Sequence, residues 1–416
     1  MEFGVFYELQ LPKPWNEGDE HRLFQEALEQ VELADRLGID YAWAVEHHFL
    51  EEYSHCGSPE VFLAAAAGRT KNIKVGHGIR QVIPNYNHPA RTAEGLGALD
   101  LVSNGRAQFG IGEGATRLEL HGFNIQAKRK RAMALEAAEQ VANMMTMTPY
   151  PGYECEDWSF PCRNVVPKPL QKPHPPMWMA CTNRDTIKVA AQNGIGALAF
   201  SFVDPDEAKT WADIYYDIIK SDECVPIGHA VNANIAMVSA FSLNHDRSTA
   251  IRQGQEGFEF FSFAMRKLVA EDTTPGRTRI WEEFQEARKV GEDEMIDAAL
   301  KGRDLMHAPG IGTPNDFRAH IKNYEEAGVD QIIFLQQAGR NTHEQICDSL
   351  NLFADEVLPE FQGRKEARMA KKAAELAPYL EAAMARKKWM HELAADKIPV
   401  VRASVKQFAV NKQSNA

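Results

Sequence analysis

The sequence lacks the features that mark several large classes of protein. None of its apolar runs approaches the length of a membrane-spanning helix, and residues 1–4 do not begin a signal pattern of charge followed by apolar residues. Six cysteines occur without a CxxC pair, so the spacing matches no zinc module. These absences predict a cytoplasmic protein with reduced thiols and no membrane partner.

The charge balance argues against nucleic acid as a partner. The formal net charge is -12 at pH 7, which disfavours binding to a polyanion. The acidity is uneven, because residues 362–416 contain 12 Lys or Arg against 5 Asp or Glu. A basic tail on an acidic body favours docking of that tail on its own chain or on a partner subunit.

The chain does contain a regular alternation of short apolar runs and longer segments with helical periodicity. Predicted strands begin near residues 2, 41, 73, 107, 177, 197, 229 and 330, and a predicted helix follows each of them. Eight such pairs favour a closed α/β barrel of the (β/α)8 type, the TIM barrel, over an open doubly wound sheet. The predicted barrel domain comprises residues 1–361.

Three segments depart from this alternation. Residues 149–176 are rich in proline and predict an inserted loop or small hairpin after strand four. Residues 265–308, after strand seven, are polar and rich in Arg and Glu. Residues 362–416 form a second predicted unit, a basic helical extension over residues 364–388 followed by a polar tail.

The end of the second predicted strand is the first candidate for a functional site. Glu46, His47 and His48 follow the apolar residues 41–45, so a carboxylate and two imidazoles lie at the mouth where parallel α/β folds place their chemistry. Adjacent strand residues point to opposite sides and no HxxxH spacing is present, so we predict no metal site. One histidine acting as an acid or base is the functional interpretation. A loop with structurally bonded histidines is the alternative.

Two further turns follow predicted strands. Residues 110–114 contain three glycines, but they do not complete the GxGxxG pattern of dinucleotide-binding folds. Either tight turn geometry or close approach of the backbone to a ligand explains such glycines.

Residues 180–185 lie between a strand and a helix. Backbone N–H groups there favour an anion, with Thr182, Asn183 and Arg184 as additional donors. An ordinary helix cap is the alternative. Cys56 and Cys181 are more often inert small apolar residues than nucleophiles.

Several of these motifs together resemble the bacterial luciferase-like flavin-dependent oxidoreductases. The resemblance implies a (β/α)8 barrel, usually a homodimer, that binds flavin mononucleotide (FMN) at the C-terminal ends of its strands. A separate flavin reductase supplies reduced FMN, which reacts with O2 to give a peroxyflavin that oxidises a hydrophobic aldehyde, ketone or related organic substrate. The motifs that carry the resemblance are residues 3–4, 46–49, 88–91, 99–106, 109–112, 311–314 and 327–330.

The same resemblance implies roles for individual residues. His47 matches the family's catalytic histidine beside the reactive edge of the flavin, and Glu46 or His48 would steady it. Gly78 and Ile79 match the position of a non-prolyl cis peptide bond that packs against the flavin ring. The candidate cofactor-binding residues are Gly78, Ile79, Gly112, Glu113, Cys181, Thr182, Asn183, Arg184 and Ser201.

One position departs from the family pattern. The residue after Gly112 is often arginine in the family, a natural partner for phosphate, and here it is Glu113. A carboxylate repels phosphate unless a cation intervenes. We therefore expect Arg117 or Arg184 to bind the phosphate, or the phosphate to lie elsewhere. Among the backbone and side-chain contacts to phosphate, the family pattern also includes Asp185 or Thr186.

Two other functions remain open at this point. Related proteins use the same barrel mouth to bind the deazaflavin F420 as dehydrogenases or reductases. Others are non-catalytic, flavin-binding accessory subunits. For residues 265–308, the resemblance implies a mobile active-site lid, with a plain surface insertion as the alternative.

Overall fold

A computed structural model describes residues 1–289 and 308–402 of the chain. It contains twelve strands in those ranges, in chain order β1 (Glu2–Tyr7), β2 (Tyr41–Val45), β3 (Lys74–Gln81), β4 (Ala107–Gly112), β5 (Tyr150–Glu154), β6 (Ser159–Arg163), β7 (Met177–Cys181), β8 (Gly196–Ala199), β9 (Ile235–Ala240), β10 (Ser242–Leu243), β11 (Ile311–Gly312) and β12 (Gln331–Gln337). The α-helices in the same ranges are α1 (Asp19–Leu37), α2 (Pro59–Arg69), α3 (Pro89–Val102), α4 (Arg117–Gly122), α5 (Lys130–Thr146), α6 (Arg184–Gln192), α7 (Pro205–Ile219), α8 (Arg247–Ala270), α9 (Ile280–Arg288), α10 (Pro314–Glu326), α11 (His343–Glu356) and α12 (Leu358–Arg386).

Eight of the strands form a closed parallel barrel. Their order around the barrel is β1, β12, β9, β8, β7, β4, β3 and β2, and β1 pairs with both β12 and β2 to close it. Most residues in these strands are buried because helices cover the outside while side chains fill the inside. The predicted (β/α)8 barrel is confirmed.

Large aromatic side chains fill the barrel below the C-terminal ends of the strands. Trp43 and Trp178 meet edge to face with their ring centroids 5.5 Å apart, and Tyr41 stacks on Trp43 at 5.3 Å. Gly76 makes room for this packing, because a Cβ atom there would lie 2.4 Å from the Trp43 ring. Aromatic side chains therefore fill the lower interior of the barrel, and a ligand cavity inside the barrel has to lie above them.

The proline-rich insertion is a hairpin, as the sequence predicted. Strands β5 and β6 pair antiparallel and lie between α5 and β7.

The described part of residues 265–308 is ordered, whereas the sequence indicated an exposed, flexible segment. Helix α8 continues to Ala270, and α9 follows with Trp281 and Phe284 packed against Phe260 at ring-centroid distances of 5.0 and 5.5 Å. Apolar residues at helical spacing, which the polar composition concealed, explain the difference. Residues 290–307 lie outside the described ranges, so the predicted lid remains a proposal.

Two adjacent acids attach this region to the loop after β2. The Glu52 carboxylate accepts hydrogen bonds from the backbone N–H groups of Ile280 (2.8 Å) and Trp281 (2.9 Å) at the start of α9. Glu51 accepts from the backbone N–H of Gly276 at 2.5 Å. Both carboxylates satisfy N–H groups that a helix start or turn leaves unpaired.

The basic C-terminal segment docks on the body of its own chain, one of the two arrangements that its charge favoured. Lys372 pairs with Asp330 at 2.7 Å and Arg368 pairs with Glu325 at 3.0 Å. Helix α12 runs without a break through residue 361, so the division of the chain at that residue remains a prediction.

Within the described ranges, no helix combines the length and apolar character needed to cross a lipid bilayer.

Replacing Gly76 with alanine tests the aromatic packing of the lower barrel. We expect Gly76→Ala to lower the free energy of unfolding by about 1–3 kcal/mol, because the new methyl group overlaps the Trp43 ring. Urea unfolding followed by tryptophan fluorescence measures the change. Gly68→Ala is the matched control, since no atom lies within 4 Å of that Cβ position on α2, and there alanine should stabilise by about 1 kcal/mol. Equal stability of the two variants would contradict this account.

Candidate active site

A cavity of about 390 Å³ opens at the C-terminal mouth of the barrel. Residues after β1 and β2 form one end, and residues at the start of α5 form the other. Apolar side chains line the space between the ends. A volume of this size, with few polar groups among apolar walls, is typical of a site for a small organic ligand or cofactor.

His47 lies at the first end of the cavity between two glutamates. Its Nδ1 is 2.9 Å from Glu119 Oε1, and its Nε2 is 3.8 Å from Glu8 Oε2. All three side chains are almost fully buried. Glu119 lies in α4 and its second oxygen accepts hydrogen bonds from the backbone and hydroxyl of Thr116 at 3.2 and 2.9 Å. Helix α4 thus orients the imidazole through one carboxylate.

The two glutamates set the charge of His47. Burial alone lowers the pKa of His47, but the negative charges of Glu119 and Glu8 outweigh it and raise that pKa to about 9. Burial raises the pKa of Glu119, yet the charge and hydrogen bond of His47 bring it down to about 2. At neutral pH the pair is therefore an imidazolium beside a carboxylate.

Glu8 behaves differently from Glu119. Burial raises the pKa of Glu8 to about 7, although the His47 charge and the Tyr53 hydroxyl both act to lower it. The carboxyl group therefore changes charge near neutral pH, at the wall of the cavity.

Glu46 and His48 form a pair with each other, and the support that the sequence predicted for His47 is limited to the Glu46 charge, which helps to raise the His47 pKa. Side chains alternate along the extended chain, so residues 45 and 47 face the barrel interior while 46 and 48 face outward. The Glu46 carboxylate lies 2.9 Å from His48 Nε2 and accepts from the backbone N–H of Gln81 (2.9 Å) and from Asn87 Nδ2 (2.7 Å). The pair fixes the end of β3, and only His47 of the three lines the cavity.

Gly78 is a bulge in β3, without the predicted cis peptide bond. Ala44 pairs with His77 and Val45 pairs with Ile79, so one extra residue lies between them. In residues 1–289 and 308–402 every cis peptide bond precedes a proline. Ile79 lines the cavity and Gly78 does not.

Gly112 keeps the floor of the cavity open. A Cβ atom at this position would lie 2.4 Å from Ile79 Cγ2, so any larger residue displaces the cavity wall. Close packing of the Ile79 side chain against the backbone accounts for this glycine, and close approach of that backbone to a ligand stays a prediction.

Two cations that the sequence analysis missed lie at the other end of the cavity. Arg131 Nη2 pairs with Glu113 Oε1 at 2.9 Å, and Lys130 Nζ lies 3.7 Å from the same oxygen. Lys130 also donates to the Gly114 carbonyl at 2.6 Å. The sequence contains four consecutive basic residues, 128–131, at the start of a predicted helix. The helix dipole disfavours positive charge there, so this run could have indicated an anion-binding site.

Arg117 and Arg184 do not take the place of these cations. Neither lines the cavity, and Arg184 is directed away from it to form an ion pair with Glu207.

Only some of the candidate cofactor-binding residues after β7 line the cavity. Thr182 and Thr186 line it. Asn183 caps α6 by accepting from the Thr186 N–H at 3.0 Å, as the alternative interpretation had it. Cys181 is buried behind the barrel, and burial raises the pKa of its thiol to about 12. Ser201 donates to the Thr182 carbonyl at 2.9 Å without lining the cavity.

Apolar and aromatic side chains form the walls between the two ends. Phe200 follows β8, and Phe261, Met265 and Val269 come from one face of α8. The sequence analysis missed the contribution of α8, because its residues lie more than 200 positions from His47 and carry no local motif. These walls suit a hydrophobic ligand.

One group of possible metal ligands occurs in the described ranges, away from the barrel mouth. Glu136, Cys155 and Asp157 converge beside the hairpin, where Arg129 also donates to Asp157 at 2.8 Å. All three residues are half-buried, and a cluster of this kind does not by itself establish a metal site.

Several relatives of this chain are named as monooxygenases. The limonene 1,2-monooxygenase of Rhodococcus erythropolis is 28% identical over 375 residues, which cover 87% of this chain and 87% of that protein. The oxygenase component of the flavin-dependent trigonelline monooxygenase of Acinetobacter baylyi is 28% identical over 199 residues, 47% of this chain. The chain spans about half of that second relative, 52% of its length.

Solved structures of similar fold include both flavin and deazaflavin proteins. Monooxygenase RslO1 from Streptomyces bottropensis is 26% identical with a TM-score of 0.67, covering 87% of this chain and all of that one. The oxygenating constituent of 3,6-diketocamphane monooxygenase from Pseudomonas putida, in complex with FMN, has a TM-score of 0.64 and 19% identity, covering 86% and 98%. An F420-dependent secondary alcohol dehydrogenase has a TM-score of 0.61 and 15% identity, covering 86% and 98%. The last two show the fold alone.

A family model gives the assignment. The model of luciferase-like monooxygenases matches residues 1–331, from the N-terminus to the first residue of β12. The match therefore includes both ends of the cavity and the helices that position them. This protein belongs to the luciferase-like monooxygenase family.

Proposed function

We propose that this protein is the oxygenase of a two-component, flavin-dependent monooxygenase. It uses reduced FMN and O2 to oxidise a hydrophobic aldehyde, ketone or related organic substrate. The observation that carries the proposal is the cavity at the barrel mouth, with a buried imidazolium at one end, two cations at the other and apolar walls between them.

The residues present fit the chemistry of FMN. A phosphate requires cations, which Lys130 and Arg131 supply, and a flat apolar ring requires apolar walls, which Ile79 and Phe200 supply. Gly112 lets the Ile79 side chain pack against the backbone at the cavity wall. Reduced FMN, when bound, would supply the electrons that activate O2.

His47 would act as the proton donor of the reaction. Its Nδ1 is held by Glu119, so Nε2 is the atom that faces the cavity and can donate. Because Glu119 keeps the imidazole protonated at neutral pH, the proton is present before a substrate arrives. The apolar walls would exclude water around that proton and around the substrate.

Arg131 and Lys130 would bind the phosphate in place of the arginine found in many relatives. They lie at the first turn of α5, where backbone N–H groups add to their positive charge. Glu113 would orient Arg131 through its two hydrogen bonds of 2.9 and 3.2 Å.

The proposal also includes a flavin reductase as partner, a homodimeric assembly and a cytoplasmic location. A relative named as an oxygenase component supports a separate flavin reductase. Apolar Val61 on α2 and Val102 on α3 are more than half exposed, and a second copy of the chain in a homodimer would cover them. All six cysteines are unpaired, which supports a reducing, cytoplasmic location.

Cofactor binding tests the proposal most directly. We expect reduced FMN to bind under anaerobic conditions and, on addition of O2, to support oxidation of a compound found by screening aldehydes and cyclic ketones with a reductase present. Tight binding of reduced F420 without binding of FMN would overturn the monooxygenase proposal and favour a dehydrogenase. Binding of FMN with no oxidised product from any compound would favour an accessory subunit.

The role of His47 predicts a specific kinetic defect. We expect His47→Ala to lower turnover about 100-fold or more, the usual scale for loss of an acid–base group, with little change in FMN affinity. His48→Ala is the control, since that ring packs on Tyr86 and Phe123 outside the cavity. Product formation under saturating reduced FMN measures the effect. Similar turnover in both variants would remove His47 from the mechanism.

The cationic end predicts a selective loss of phosphate binding. We expect Arg131→Gln to raise the Kd for FMN about tenfold or more, because a hydrogen bond between charged groups is worth roughly 1.5–3 kcal/mol. The Kd for riboflavin, which lacks the phosphate, should stay unchanged. Arg129→Gln removes an equal charge nearby, but Arg129 pairs with Asp157 away from the cavity and its loss should leave both affinities unaltered. Fluorescence titration of each flavin gives the four constants, and equal losses for the two flavins in Arg131→Gln would contradict the assignment.

A further inference from the structure

Glu8 has an unused hydrogen-bonding atom at the wall of the cavity. The side chain is 3% exposed, and its Oε1 accepts a hydrogen bond from the Tyr53 hydroxyl at 3.1 Å. Its Oε2 has no hydrogen-bond partner among residues 1–289 and 308–402. Burying a carboxylate oxygen without a hydrogen bond costs free energy of folding. A bound ligand that supplies the missing hydrogen bond would explain why a glutamate occupies this position.

The position of Glu8 is fixed by the loop after β2. Besides the Tyr53 hydroxyl, Ser54 Oγ donates to the Glu8 carbonyl at 2.7 Å, and the His55 N–H donates to the Leu9 carbonyl at 3.0 Å. Three consecutive residues of one loop therefore hold the end of β1. These hydrogen bonds hold the Glu8 carboxylate in a defined position at the cavity wall.

The distance between Glu8 and His47 points to one kind of ligand group. Glu8 Oε2 and His47 Nε2 are 3.8 Å apart, too far for a hydrogen bond to each other. One oxygen atom can lie within hydrogen-bonding distance of both. A hydroxyl group satisfies both, because it accepts from the Nε2–H and donates to Oε2. A carbonyl or ether oxygen only accepts, and would leave Glu8 unpaired.

The charges on the site argue against an amine in the same place. An ammonium group near Glu8 would also lie next to the His47 imidazolium, which Glu119 keeps charged. A neutral hydroxyl meets no such repulsion. The walls formed by Phe200, Phe261 and Met265 suit the hydrocarbon part of the same molecule.

We propose that Glu8 and His47 together bind one hydroxyl group of the substrate, so that the substrate is a hydrophobic aldehyde, ketone or related compound that also carries a free hydroxyl, such as a phenolic aldehyde or a hydroxylated cyclic ketone. This rests on the proposed function for the identity of the site, and it narrows the class of compound oxidised there. Glu8 touches the substrate and determines specificity, while His47 donates to it.

Binding of matched probes to the cofactor-free protein tests the inference. The probes are 2-naphthol and 2-methoxynaphthalene, which differ by one methyl group that removes the hydroxyl proton. At pH 8 we expect 2-naphthol to bind about tenfold more tightly or better by calorimetry, the scale of a hydrogen bond to a charged acceptor. Equal affinities, or no measurable binding of 2-naphthol, would overturn the proposal.

A nearly isosteric variant isolates the acceptor. In Glu8→Gln the Tyr53 hydroxyl keeps the amide oxygen, which turns the NH2 group toward the position of the ligand. The acceptor thus becomes a donor, and the preference for 2-naphthol should vanish. Glu94→Gln makes the same change on α3, where Glu94 pairs with Arg91 outside the cavity, and should keep the preference. Thermal unfolding verifies that both variants fold, and a preserved preference in folded Glu8→Gln would assign Glu8 a structural role only.

The pH dependence gives a readout that a structural role would not change. The ionisable groups facing Glu8 are His47 after β2, Tyr53 and Cys56 in the following loop and Glu119 on α4. Burial raises the pKa of the Tyr53 hydroxyl and that of the Cys56 thiol well above their ordinary values, so both groups stay protonated near neutral pH. His47 stays protonated and Glu119 stays ionised between pH 6 and 8, so Glu8, with a pKa of about 7, is the group that titrates. The preference should therefore be largest at pH 8 and fall as Glu8 gains a proton toward pH 6. A constant preference across this range would contradict the role of Glu8.

The outcomes separate this inference from the proposed function. Naphthol binding uses no flavin, so a failure of FMN to bind would remove the monooxygenase proposal and leave the hydroxyl preference measurable. Conversely, FMN binding with no hydroxyl preference would remove the inference alone.

Discussion

The ion pair between His47 and Glu119 is the interaction on which the site depends. It joins the end of β2 to helix α4 across 72 positions of sequence, with both partners out of contact with water. Taking two charges into such surroundings is costly, and the cost is met only because the second Glu119 oxygen is also fully hydrogen-bonded by Thr116. Loss of Glu119 would leave His47 with Glu8 at 3.8 Å, and loss of His47 would leave the Glu119 carboxylate without its imidazolium partner. The same ion pair therefore determines both the position of the His47 ring in the cavity wall and its protonation.

The barrel makes this arrangement possible by keeping its lower half solid. Aromatic rings around Trp43 and Trp178 fill the interior of the barrel below the strand ends. The cavity begins above them and is shaped by single positions such as Gly112, where a side chain would meet Ile79. Packing thus determines where the ligand lies, and the polar groups at the two ends determine its orientation.

The sequence predicted the features that depend on neighbouring residues. It did not predict the contacts between residues far apart in the chain. The strand–helix alternation follows from local periodicity and was predicted correctly. The choice of His47 over His48 came from the family resemblance, and the structure places His47 at the cavity. Glu119 and Glu8 as partners of His47 were not, because their contacts arise only when the barrel closes. Arg184 was assigned to the phosphate because of its place at a helix start, but Glu207, 23 residues later, pairs with it. The bulge at Gly78 replaced an expected cis bond, a backbone detail that residue types do not encode.

The acids Glu51 and Glu52 have a consequence for the support of the cavity wall. They fasten the start of α9 and the turn before it to the loop whose next residues, Tyr53 and Ser54, hold Glu8. Four consecutive residues, 51–54, therefore connect α9 to the end of β1. Glu8 is in this way braced from outside the barrel, so a substitution at Glu51 or Glu52 would disturb the cavity wall although neither residue lines the cavity.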